Sequence, residues 1–341
     1  MVKKALKILF RVSGGRAKNK EYGLGHIYHA MNLASRLKNC KFIFLLEDYG
    51  QAKQLLKRYK YNNIFLLKKD IDVKLDVEIT KKIITEQKID LIIIDKHDNK
   101  TKSYAKLMTK FIKTVVISDV RKINYHADLL INAFIGFENS ITKNSLGTKC
   151  LLGPKYQILN QKYENQKKIT KKKYSFLITF GGFDEQNILE TFCVELEKYL
   201  ENLKVKIILG YATSQTKKLR SLKTKFPHSI DIILETSNLK KEISQSSFGI
   251  CSGGITTYEF AALGVPFAII CQYKHQIATA KEWEKKGHAI NLGYPNSKTK
   301  YKIRKVLNDI FEKKIIINPK NNVVDGLGAK RVAQKILNLV M

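Results

Sequence analysis

The chain of 341 residues is 44% hydrophobic and 27% charged, which excludes a disordered or fibrous protein and supplies two domains of ordinary size with a core each. No apolar run approaches the roughly eighteen residues that cross a bilayer, and Leu6 to Val12, followed by Ser13-Gly14-Gly15, is too short for a secretory signal, so a cytoplasmic protein is expected. The net charge of +32 favours anionic partners, but only eight of the 62 basic residues are arginine; no nucleic acid is expected as partner, and the lysine surface suits weak association with an anionic membrane.

Short apolar runs alternate with stretches of helical period along the whole chain. Leu6–Val12, Phe42–Leu46, Leu91–Asp95, Val115–Ser118 and Leu129–Asn132 read as fully buried parallel strands. Ile27–Leu37, Gln51–Tyr59, Val77–Gln87 and Tyr104–Phe111 place apolar residues three and four apart, as helices on a sheet do. Residues 155–173 are polar and lysine-rich and read as a linker. The alternation resumes with strands at Phe176–Phe180, Val205–Leu209, Ile230–Leu234, Phe248–Cys251, Phe267–Cys271 and Ala289–Leu292. Helices are expected at Ile188–Leu200, Ser214–Phe226, Thr257–Leu263, Ile277–Lys286, Lys302–Phe311 and Gly328–Leu339. The expected architecture is α/β: two doubly wound, Rossmann-like domains facing across a cleft, at 1–154 and 174–341, with the last helix, 326–339, packing back toward the first domain. Five cysteines, odd in number and without a Cys-x-x-Cys pair, point to neither disulfides nor zinc.

Open α/β sheets bind ligands at the carboxyl ends of their strands, so the strand-to-helix loops hold the candidate chemistry. After the first strand comes Gly23-Leu24-Gly25-His26. His26 stands on the first turn of a helix, either as a group that takes a proton near neutral pH or as a solvent-facing residue. Gly181-Gly182-Phe183-Asp184 and Asn187 form either a phosphate cradle or a tight turn. Ser252-Gly253-Gly254-Ile255-Thr256, with Glu259 on the next helix, adds hydroxyls to helix-start amides and is the stronger anion site; Glu259 is placed to accept two ribose hydroxyls. Gln272-Tyr273-Lys274-His275-Gln276 gives a further polar cluster, and His97 and Asp98 follow a buried strand. Asp70-Ile71-Asp72 has a metal-chelating spacing but adjoins Lys68-Lys69. P-loop, Gly-x-Gly-x-x-Gly and Gly-x-Ser-x-Gly patterns do not occur in the chain, which argues against P-loop NTPase, dinucleotide-binding and hydrolase-elbow sites.

Taken together these residues resemble the nucleotide-sugar enzymes of the GT-B fold, above all the PseG/SpsG group, the UDP-sugar hydrolases of pseudaminic acid biosynthesis and their polysaccharide-biosynthesis relatives, with MurG as a more distant cousin. The resemblance runs over nearly the whole chain. Arg11, Gly23-Leu24-Gly25-His26, Leu151 to Tyr156, Gly181 to Asp184 with Asn187, Ser252 to Thr256 with Glu259, and Asp325 to Ala333 carry it. It implies that His26 is the base acting on water, that Gly182 and the Ser252–Thr256 amides take the phosphates of UDP, and that Glu259 takes the ribose. Arg11, Gly25, His97, Gly181, Asn187, His275 and Gln276 complete the implied substrate contacts, and neither metal nor other cofactor is implied. The departures lie on the sugar side: the insert Arg16 to Glu21, Ser13 for an aspartate, His97 for a tyrosine, Asn160 for an arginine and His275 for an asparagine. A UDP-sugar hydrolase is therefore the first expectation and a glycosyltransferase of the same fold the alternative. A basic binding protein for nucleic acid or anionic membrane is the third.

Overall fold

The computed structural model describes residues 5–17, 20–96, 100–137, 141–164, 171–184, 186–210, 213, 215–236, 238–315, 317 and 323–340. It divides into two compact units, residues 1–161 with 326–341, and residues 162–325.

In the first unit the strands are β1 (Leu6–Val12), β2 (Gly15–Ala17), β3 (Lys20–Gly23), β4 (Cys40–Glu47), β5 (Ile64–Leu67), β6 (Leu91–Asp95), β7 (Thr114–Ser118), β8 (Leu129–Asn132) and β9 (Lys149–Leu152). Its helices are α1 (Gly25–Ala34), α2 (Gln51–Arg58), α3 (Val73–Gln87) and α4 (Thr101–Thr109). Seven strands form a sheet in the order β5-β4-β1-β6-β7-β8-β9, every neighbouring pair parallel. All residues of β6, β7 and β8 are buried, as expected of strands with helices on both faces. The insert after β1 is an antiparallel hairpin, β2 with β3.

The second unit holds β10 (Phe176–Thr179), β11 (Val205–Leu209), β12 (Ile230–Leu234), β13 (Gly249–Cys251), β14 (Phe267–Ile270) and β15 (Ala289–Gly293). Its helices are α5 (Ile188–Leu196), α6 (Lys217–Lys225), α7 (Leu239–Ser244), α8 (Thr256–Ala262), α9 (Gln276–Lys285) and α10 (Thr299–Phe311). The sheet runs β12-β11-β10-β13-β14-β15, again parallel throughout. Its core joins Phe176, Ile178 and Val205 on the sheet to Phe192, Leu219 and Leu307 on the helices. The last helix, α11 (Gly328–Val340), returns to the first unit, with Ala329, Val332, Ala333 and Ile336 buried.

The doubly wound α/β expectation describes both sheets. The two strands of the first sheet that the sequence pattern misses are β5 and β9, which are its two edges. Each has four residues of mixed exposure; β5 is a short apolar run, Ile64-Phe65-Leu66-Leu67, that the pattern reading passed over, and β9 opens on an exposed lysine. Within 155–173, expected as a linker, Pro154–Tyr156 and Gln161–Tyr163 form 3-10 turns, and the division between the units falls after Gln161. Among the described residues no helix is long and apolar enough to cross a membrane.

Candidate functional site

Each sheet reverses its winding once, and loops on either side of such a point open a crevice at the carboxyl ends of the strands. In the first unit the strands flanking it are β1 and β6; in the second they are β10 and β13. Two candidate sites follow, one on each unit.

On the first unit, Ser13 N donates to the carbonyl of Asp95 at 3.1 Å, so the loop leaving β1 is stitched to the end of β6. Asp95 is the last residue of β6, and His26 and His29 lie one turn apart on the same side of α1. All three are buried. Asp95 Oδ1 lies 2.7 Å from Nδ1 of His26 and Asp95 Oδ2 lies 3.2 Å from Nδ1 of His29. Burial opposes ionisation of Asp95, but the adjacent imidazoles, His26 foremost, outweigh it and hold the carboxyl well below the usual carboxylate range. An ionised carboxylate only accepts, so each Nδ1 carries a hydrogen toward it, and in the neutral form of either ring the lone pair is then on Nε2. The arrangement is that of a general base oriented by a carboxylate. The ring nitrogens and Asp95 also place three donor atoms within 4.8 Å of one another, the one such His/Asp cluster among the described residues. Their pairwise separations are those of direct N–H···O hydrogen bonds, with a separate oxygen for each ring. Gly25 leads α1, and a Cβ built there meets nothing within 4 Å.

Arg11, near the end of β1, is tied into the first unit. Its side chain is fully buried and ion-paired: Nε lies 3.0 Å from Asp76 Oδ1, Nη2 lies 2.8 Å from Asp76 Oδ2, and Nη2 lies 3.0 Å from Glu47 Oε1. Lys96 Nζ reaches the same Asp76 at 2.9 Å. Burial works against both charges, yet their mutual attraction raises the pKa of Arg11 and lowers that of Asp76. The guanidinium thus braces the end of β1 through two internal carboxylates. Asp72, of the Asp70-Ile71-Asp72 pair, caps α3 by accepting from Lys74 N at 2.8 Å. Asn160 Nδ2 donates to Asn32 Oδ1 on α1 at 3.1 Å. His97 lies outside the described residues.

On the second unit, Gly181, Gly182 and Asp184 follow β10. Gly181 has φ of +79°, and Asp184, not Asn187, caps α5: its carboxylate accepts from Ile188 N at 2.9 Å and Leu189 N at 2.8 Å. Asn187 occupies the capping position with a left-handed backbone and makes no capping bond with its side chain. The loop Ser252-Gly253-Gly254-Ile255 leads from β13 into α8, which starts at Thr256. Gly253 is required by close approach, because a Cβ there would stand 2.8 Å from that of Gln276. Two glutamines tie three loops together. Gln272 Nε2 donates to the carbonyls of Phe180 (2.8 Å) and Phe183 (2.9 Å), while Gln276 Oε1 accepts from Gln272 N (2.9 Å) and Gly253 N (3.3 Å). Gln276 thus braces the Ser252–Thr256 loop. His275 is exposed, its ring stacked on Tyr273 at 5.6 Å. Glu259 stands on the first turns of α8, partly buried. Desolvation pushes its carboxyl up to about 7, against the pull of Tyr163 and Thr256. Trp283 is fully buried and donates to Thr257 Oγ1 at 3.0 Å.

Asp95, His29, Gln157 and Gln272 are the site neighbours that sequence reasoning passed over or left without a role. The signal available for Asp95 was an acidic residue closing a fully buried strand run, at the strand end where ligands bind.

Residues 157–336, more than half of the chain, match the Glycosyltransferase family 28 C-terminal domain. The chain is similar to the spore coat polysaccharide biosynthesis protein SpsG of Bacillus subtilis, at 23% identity over 94% of this chain and 95% of the relative. It is also similar to a UDP-2,4-diacetamido-2,4,6-trideoxy-beta-L-altropyranose hydrolase of Campylobacter jejuni, at 27% identity over 85% of this chain and the full length of the relative. Among solved structures, Acinetobacter baumannii MurG matches with a TM-score of 0.62 at 17% identity, covering 98% of this chain and 99% of that one. S. aureus MnaA, solved with UDP, matches with a TM-score of 0.63 at 12% identity, covering 98% of each chain. The fold is therefore GT-B, and the resemblance to the PseG/SpsG group is borne out. With its second unit and the first part of the returning helix inside the matched segment, the chain belongs to the family of the glycosyltransferase family 28 C-terminal domain.

Proposed function

We propose that the protein acts on nucleotide sugars as a UDP-sugar hydrolase, releasing UDP and a free amino-deoxy sugar in nonulosonic acid (pseudaminic-type) or surface polysaccharide biosynthesis. The observation that carries the reading is the 2.7 Å contact of buried Asp95 with His26 Nδ1, which directs the basic Nε2 lone pair away from the carboxylate. His26 Nε2 takes a proton from water, the water oxygen bonds to the anomeric carbon, and the bond from that carbon to the UDP oxygen breaks with its electron pair leaving on the diphosphate. Asp95 stabilises the imidazolium formed. Amides of Gly182 and of the Ser252–Thr256 turn neutralise the diphosphate, and Glu259 accepts from the ribose hydroxyls. The names of the C. jejuni hydrolase and of the UDP-bound MnaA structure support the substrate class.

A second reading, a glycosyltransferase in which His26 activates an acceptor hydroxyl, is favoured by the family description itself. One assay separates the two. Purified protein is incubated with a panel of UDP-amino sugars without acceptor, and UDP is measured. Multiple turnovers support the hydrolase; release only on adding an acceptor sugar replaces it with the transferase. His26→Ala should lower kcat by roughly 100- to 10,000-fold while UDP affinity, measured by calorimetry, stays within about two-fold. Near-normal turnover by that variant would remove His26 as the base.

A further inference from the structure

Asp95 is shared by two imidazoles, only one of which the proposed reaction uses. His29 is buried, its Nδ1 is 3.2 Å from Asp95 Oδ2, and its Nε2 is 3.0 Å from Gln157 Nε2. Hydrogen counting makes this chain self-consistent. The carboxylate supplies no hydrogen, so His29 Nδ1 donates to it; Nε2 of the neutral ring must then accept, and the Gln157 amide is the donor that faces it. Both ends of the His29 ring are thereby held. Gln157 is itself buried and pressed by the start of α11, where a Cβ on Gly328 would lie 2.1 Å from the Gln157 carbonyl oxygen. The two rings meet edge to face, with centroids 6.2 Å apart.

We infer that His29 is a positioning residue for the base: by occupying Oδ2 of Asp95 it keeps Oδ1 aimed at His26 Nδ1, and so keeps His26 in the tautomer with Nε2 basic. The inference rests on the reading of His26 as the base. A carboxylate with one oxygen unoccupied would rotate or draw the His26 ring into a second arrangement, and a base displaced by about 1 Å loses up to roughly 100-fold in rate. Gln157 and the Gly328 contact extend the support from the active histidine to the returning helix.

The test uses three substitutions in the full chain. His29→Asn keeps an N–H donor where Nδ1 stands, His29→Gln reaches only the Nε2 position, and His29→Leu offers neither. Histidine-labelled 15N NMR, with the His26 signals identified by their loss in His26→Ala, reports the tautomer directly. Wild type and His29→Asn should show His26 with its hydrogen on Nδ1, while His29→Leu and His29→Gln show mixed tautomers. In UDP-sugar turnover the last two should lose about 10- to 100-fold in kcat with KM within about two-fold, and His29→Asn should stay within about three-fold of wild type. Equal kcat in all variants, or Asn no better than Gln, overturns the inference. Stoichiometric zinc retained by the wild type and lost from all three variants also overturns it, by making the cluster a metal centre. If His26→Ala turns over normally the base reading falls instead, and the tautomer comparison still decides whether His29 orients the ring.

Discussion

At His26 the proposed chemistry depends on which ring nitrogen carries the hydrogen, and that is set by Asp95 at 2.7 Å. Asp95→Asn should preserve the shape but lets an amide N–H face Nδ1, which favours the opposite tautomer. The loss in kcat should reach up to roughly four orders of magnitude, as for the equivalent change in a serine-protease triad, with UDP affinity unchanged in calorimetry. Glu259 gives a second prediction. Its carboxyl sits near 7 because burial penalises the charge, and the ionised form is the better acceptor for ribose hydroxyls. Binding of UDP should therefore tighten as pH rises from about 6 to 8 and become nearly flat in Glu259→Gln. The linkage to stability has the opposite sign. A carboxyl whose folded pKa is raised is penalised once pH passes its ordinary value, so stability falls up to about 7. Glu259→Gln should consequently melt above wild type at pH 8 by calorimetry.

Among the elements, β1, β4, α3 and the segment after β6 meet through Arg11, Glu47, Asp76 and Lys96. Removing one partner of a buried pair leaves the others uncompensated, so Arg11→Met should cost about 3–5 kcal/mol in urea unfolding. Asp76 and Asp95 both have lowered pKa values. Their contribution to stability is complete above the ordinary carboxylate value and disappears as pH falls through the lowered ones, placing the acid transition on that side. The sheet interiors were legible from sequence because buried parallel strands are continuous apolar runs, and the turns Gly181 to Asp184 and Ser252 to Thr256 because glycine and hydroxyl residues stand between a strand and a helix. The edge β9 was not legible, since a four-residue strand that opens on an exposed lysine carries no period, whereas β5, Ile64-Phe65-Leu66-Leu67, carries a short apolar run that the reading passed over. The bracing contacts of Gln276 were not legible either, since they join residues that only the tertiary fold brings together.

For the whole molecule, the return of α11 to the first unit means that the chain's last residues support its first. Val332 is fully buried there, and α11 meets α1 and the Pro154–Tyr156 turn. Val332→Asp buries an unpaired charge and should lower the first unit's melting transition by several degrees, at about 2–4 °C per kcal/mol. Differential scanning calorimetry should show the transition of residues 162–325 little changed; equal shifts of both transitions would contradict the division into units. The charge of +32 belongs to this scale too. If it served nucleic acid, duplex binding would weaken steeply with salt and be indifferent to UDP.

Local pattern alone determined the alternation of strand and helix, the doubly wound class and the strand-end loops, because backbone hydrogen bonding and side-chain period are properties of neighbouring residues. Only the tertiary structure decided the partners. His26 and Asp95 are 69 residues apart, Arg11 and Asp76 are 65, and His29 and Gln157 are 128. Crossovers set which strands become neighbours, and so which carboxylate receives which cation or imidazole. No period in the chain encodes that choice. It paired Arg11 with Asp76 and Glu47, and gave His26 the carboxylate on which its proposed role as a base depends.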